Sequence, residues 1–199
     1  MSDPLLARNA GPVALAAGAL FALVDLARWA LQPPDDVLGM MTDPLFRVVN
    51  GGYFAAFVGL AVGLVALHER LAPHTGRLGL AGFLAALAGT MTQGGNMWFD
   101  GFAAPWLADV APQVFDAEKT ITLQVGALAA YLLFALGWML FGLALLRARV
   151  VPVPIPVALI VAGALGYQSG AAPYGVPIGL AVAALGARLM HAHRPAHTS

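Results

Sequence analysis

The chain has no cysteine, which excludes disulfides, thiolate metal sites and cysteine-based redox chemistry. Charge is scarce too. Only 10% of its 199 residues are charged, against about 25% in a soluble domain. Ten basic residues balance ten acidic ones. Without a basic stripe, nucleic-acid binding has no footprint. The one lysine, Lys119, sits at a helix entrance, so a retinal Schiff base in mid-membrane is not expected. The five histidines, His68, His74, His191, His193 and His197, lie at helix ends or in the tail. None is placed to hold a haem between helices. The stretch HER at 68–70 lacks the second histidine of a zincin, and neither a phosphate-binding loop nor a dinucleotide fingerprint occurs. No G-x-S-x-G occurs either. Asp35-Asp36 stands without the further aspartates that hold magnesium diphosphate, and His191-x-His193 reads as a solvated tail. No cofactor is expected.

Apolar residues are abundant. They make up 60% of the chain, and mean hydropathy is +0.79. This composition is that of an integral membrane protein. A spanning helix takes about 20 mostly apolar residues. Four runs meet that length, at 11–32, 45–67, 78–98 and 121–146. The first is too long for a signal-peptide core and carries Asp25 and Arg28, so it reads as a retained helix. The apolar stretch 152–190 is broken by YQSGAAPYG at 167–175. Its turn residues predict two helices, 153–168 and 173–190. Five helices with a re-entrant last pair is the competing reading.

The expected fold is therefore all-α, a single polytopic transmembrane bundle of six helices in the cell membrane. Placing the N-terminus inside puts Arg8, Arg70, Arg77, Arg147, Arg149, Arg188 and Arg194 on the cytoplasmic side. Arg28, Arg47 and Lys119 then fall in the outer half, with Asp35, Asp36, Asp43, Asp100, Asp109, Asp116 and Glu118. That asymmetry predicts both termini inside. Pro33-Pro34 ends the first helix, and Asp43-Pro44 reads as a cap and first-turn proline. Small residues repeat every fourth position at Gly51, Ala55, Gly59 and Gly63, and at Ala14, Gly18 and Ala22. Such ribbons let backbones approach closely. They serve packing within the chain more simply than a homo-oligomer. The segments 64–89 and 143–166 echo each other, each a helix end, basic residues, proline and a new helix.

Polar residues gather at one depth. Asp25, Arg28, Trp29 and Gln32 share a face of the first helix. Arg47, Asn50 and Phe54 follow on the second, and Gln93, Asn96 and Asp100 on the third. Thr122, Gln124, Tyr167, Gln168 and Tyr174 come from the rest. Intramembrane ionisable residues usually face a bundle interior or cavity, whereas aromatic and amide residues are also normal at headgroup depth. The facial spacing points to an outer-half pocket. Asp25 and Asp100 are the candidate catalytic acids. Trp29, Arg47, Asn50, Gln93, Asn96, Trp98, Phe99, Phe102, Trp106 and Tyr167 are the candidate substrate contacts. Asp25 would serve equally well as an ion-pair partner of Arg28 or Arg47. The segment 101–116 carries Phe102, Trp106, Leu107 and Val110 at near-helical spacing and is expected to lie in the interface.

An acid beside aromatic faces, which stabilise cations, suits acid-initiated cyclisation of an isoprenoid. A lipid-binding or transport protein, or a structural membrane partner, would fit the same composition. Expected partners are membrane lipids and a lipophilic small molecule. PLFRV entering the second helix and GWMLFGLALLRARVVPVPIPVALIVAGALGY at 137–167 resemble small six-helix bacterial membrane proteins of unknown function. That resemblance implies a fold and no activity. Integral-membrane terpene cyclases are similar in size and in using intramembrane acids, a similarity of type that carries over no residue.

Overall fold

The computed structural model describes residues 5–31, 36–168 and 172–191. Gln32, Pro33, Pro34, Asp35, His193, Arg194, His197 and the Gln168 side chain lie outside the described residues. Regular structure among the described residues is entirely helical. The elements are α1 (Leu5–Arg8), α2 (Ala10–Leu31), α3 (Val37–Thr42), α4 (Pro44–Trp98), α5 (Ala104–Val110), α6 (Ile121–Ala148), α7 (Pro154–Leu165) and α8 (Val176–His191). A π-helical turn, Phe99–Ala103, joins α4 to α5, and short 3-10 turns occupy Pro112–Val114 and Gly166–Gln168.

Local chemistry sets the ends. The Asp43 carboxylate accepts from the Leu45 N–H at 2.7 Å with Pro44 in the first turn of α4, as that pair predicts. Thr120 caps α6 through Leu123 N–H at 3.3 Å. The long element α4 is two helical limbs. Gly76, at φ 58° and ψ −152°, interrupts it. That conformation is open essentially only to glycine, and the chain reverses there. His68 then stacks on Phe83, with ring centroids 4.0 Å apart. The first limb was expected to end at 67 but runs to Thr75, whose hydroxyl closes on the Leu71 carbonyl at 3.2 Å. The turn glycine, rather than the loss of hydrophobicity at His68, ends the helix. Residues 101–103 also depart from expectation by continuing the helix as part of the π turn, so a connection separate from α4 begins only later.

Packing runs round a cycle of antiparallel neighbours. The first limb of α4 packs on α2, α2 on α8, α8 on α7, α7 on α6, and α6 on the second limb. Small residues make the closest approaches. Gly59 and Gly63 lie against Ala17 and Ala14, and Gly18 lies against the α8 backbone at Gly179 and Ala183. Gly82, Gly89 and Gly137 bring the second limb and α6 into backbone contact. Gly59, Gly63, Ala14 and Gly18 of the two small-residue ribbons are thus engaged within the chain, whereas Ala55 is exposed. Fully buried aromatics fill the middle. Phe57 lies edge-on to Phe21 (4.8 Å) and Phe134 (5.9 Å), and the row continues through Trp138 to Phe141.

Three helical stretches are long and apolar enough to cross a membrane, Ala10–Leu31, Pro44–Val110 and Ile121–Ala148. Helices α7 and α8 are apolar but shorter, with 12 and 16 residues. At 1.5 Å per residue they rise about 18 and 24 Å. The start of α8 lies level with Asp25, about two turns short of the end of α2.

Candidate functional site

Asp25 lies on α2 about two turns from its end and is fully buried. One carboxylate oxygen accepts from the Tyr53 hydroxyl on α4. The other accepts from the backbone N–H groups of Gly175 and Val176, each at 2.9 Å. These are the amide just before α8 and its first, so Asp25 caps a helix 150 residues away in sequence. A helix N-terminus leaves such N–H groups without intrahelical partners and favours negative charge. The approach depends on glycine: a Cβ at position 175 would fall 3.0 Å from the Asp25 carboxyl carbon and 2.8 Å from the Phe21 ring.

Arg28, one turn further along α2, stands beside this cap. Its guanidinium donates to Asn50 Oδ1 at 3.2 Å and lies 4.8 Å from the Phe46 ring centroid and 5.9 Å from that of Tyr53. Its charge acts on both Asp25 and Asp100. Asp100 occupies the π turn, half-buried. Gly101 beside it packs against Gly51 and Asn50, which brings the turn to Arg28's partner. Short π segments often mark functional sites. The Asp100 carboxylate makes no hydrogen bond to any described residue. Tyr131 of α6 lies within its electrostatic reach, and Tyr131 and Tyr167 have ring centroids 5.9 Å apart. Asp100, Arg28, Asn50, Tyr131 and Tyr167 thus gather at one end of the bundle, contributed by α2, the start of α4, the π turn after it, α6 and the 3-10 turn after α7.

The other expected contacts are distributed differently. Gln93 is fully buried, and its Oε1 accepts from Asn96 at 3.4 Å, so these two share the inward face leading to Asp100. Arg47 donates from Nε to the Met41 carbonyl at 3.3 Å and ties α3 to α4. Trp29, Trp98, Phe99, Phe102 and Trp106 are exposed, between 44 and 63%. They face outward and are not gathered around the polar group. Trp98 also edges an apolar groove of about 410 Å³ between the limbs of α4, floored by Phe57 and Gly94. Tyr53 and Tyr131 were not singled out from the sequence. Both sit within runs of apolar residues, and only their hydroxyls mark them. Among the described residues, no cluster of three or more histidines or carboxylates could hold a metal ion.

Neither a protein-family model, nor a curated protein, nor a solved structure matches this chain.

Proposed function

We propose that the chain crosses the cell membrane six times, through α2, the two limbs of α4, α6, α7 and α8, with both ends in the cytoplasm. In its outer half it binds the polar end of a lipophilic molecule of isoprenoid class, and Asp100 is the proton donor to that molecule. The observation that carries this reading is the contrast between the two candidate acids. Asp25 accepts from three donors, whereas Asp100 is half-buried, accepts from no described residue and lies within the electrostatic reach of Arg28. Proton transfer from Asp100 would leave a substrate cation and a carboxylate. Arg28 would stabilise that carboxylate, which would recover its proton as the cyclised or isomerised product loses one. Exposed Trp98, Phe102 and Trp106 would meet a chain arriving sideways from the bilayer. The aromatic row through Phe57, Phe134 and Trp138 supports a closed site over a polar conduit.

The test is turnover of polyprenyl candidates by wild type and by Asp100→Asn, which keeps size and removes the acid. Product is expected to fall by two orders of magnitude or more, in line with the roughly 10²–10⁴-fold contribution of a general acid. Full activity in the variant would overturn the assignment. Binding without turnover is the second reading, favoured by the outward-facing aromatics. Retained binding with no product from any candidate would establish it.

A further inference from the structure

We infer that the outer site holds its ligand by a neutral oxygen acceptor of carbonyl type, and that the Asn50 side-chain amide is the donor to it. The inference rests on the binding reading above. Asn50 is fully buried, and its Nδ2 has no partner among the described residues. The orientation of an asparagine amide is often ambiguous, but here it is fixed. Arg28 has only donors, so the atom 3.2 Å from its NH1 must be the amide oxygen. The nitrogen, with two N–H groups, is left over. A buried donor without an acceptor is costly, and Asn50 lies at the junction of Arg28 with the π turn that bears Asp100. The amide nitrogen therefore calls for an acceptor that the described residues do not supply.

Charge narrows the class. Arg28 already has the Asp25 carboxylate within its electrostatic reach, and Asp100, as the acid of the proposed step, carries its proton. The other arginine nearby, Arg47, is turned to the Met41 carbonyl. A phosphate or diphosphate would add negative charge to a site whose one engaged cation is already balanced by Asp25, in a medium where such repulsion is strong. An alcohol can accept, but it also brings a donor that must find its own partner. A ketone or ester oxygen only accepts, so it satisfies Asn50 and adds nothing to be paired.

The test uses purified protein in lipid nanodiscs with farnesylacetone, farnesol and farnesyl diphosphate as probes. Affinity is read by native mass spectrometry and the ketone stretch by infrared difference spectroscopy. The ketone is expected to bind at least tenfold tighter than the diphosphate, with its carbonyl stretch shifted to the hydrogen-bonded frequency. Asn50→Asp keeps an acceptor for Arg28 but offers no N–H. It is expected to weaken the ketone about tenfold, the loss of one hydrogen bond, and to return the stretch to its free value. Equal binding of all three probes, or a free carbonyl in the wild-type complex, would overturn the inference and leave the binding reading standing. Failure of every probe to bind would remove both. Should Asn50→Asp not fold, the wild-type spectrum decides alone.

Discussion

Asp25 and Asp100 carry the same functional group and do opposite work. Asp25 accepts three hydrogen bonds and joins α2, α4 and α8. Asp25→Ala would strand three buried donors, each costing about 1–3 kcal/mol. The protein is expected to lose most of its thermal stability in detergent, whatever ligand is present. Tyr53→Phe removes one of those bonds and should cost about 1–2 kcal/mol. Asp100→Asn should leave the melting temperature unchanged while abolishing product. A melting curve lowered as far by Asp100→Asn as by Tyr53→Phe would contradict this division of roles. The spacing of charges along α2 showed that Asp25 faces inward. It could not show the cap, because the amides concerned belong to Gly175 and Val176 and backbone N–H groups leave no mark in a sequence. Asn50 and Gln93 were legible from their facial positions, and both are fully buried. The aromatics near Asp100 are exposed, and tryptophan and phenylalanine suit a lipid boundary as well as an enclosed site, so their sequence pattern alone did not tell the two apart.

Among the helices, α4 shows how hydropathy and backbone geometry divide the information. Hydropathy placed the second limb closely but ended the first about eight residues early, reading the break as a loop around 68–77. The reversal instead takes a single residue, Gly76. No atom lies within 4 Å of where a Cβ would stand there, so the objection to a side chain is conformational. Gly76→Ala is expected to cost about 1–3 kcal/mol. Gly95 also has open space around it, but its backbone is helical. Gly95→Ala should therefore stabilise, by up to about 1 kcal/mol. Thermal unfolding of the two variants side by side checks the sign of each. Equal behaviour would mean that the hairpin turn does not depend on glycine. The π turn at Phe99–Ala103 was invisible beforehand, since nothing in FDGFA distinguishes a five-residue from a four-residue repeat.

Taken together, the antiparallel packing gathers Arg8, Arg70, Arg77, Arg147 and Arg188 at one end and Asp36, Asp43, Asp109 and Glu118 at the other. With no native cysteine, a single introduced thiol reports its own side. His74 and Gln113 are exposed at opposite ends. An impermeant maleimide added to intact cells should label Gln113→Cys at once and His74→Cys only after permeabilisation. The reverse pattern would invert the proposed orientation, and labelling of both would break it. The short pair α7 and α8 has a consequence outside the protein. A bilayer core is about 30 Å thick, while these helices rise about 18 and 24 Å. On the proposed topology, lipid on that flank compresses to meet them, whereas lipid beside α6 need not. Hydrophobic mismatch of this kind costs fractions of a kcal/mol per Å and sorts proteins among membranes. The protein should therefore partition into thinner domains, turn its α7–α8 side toward short-chain lipids, and melt at a higher temperature in nanodiscs of 14-carbon than of 22-carbon phospholipid.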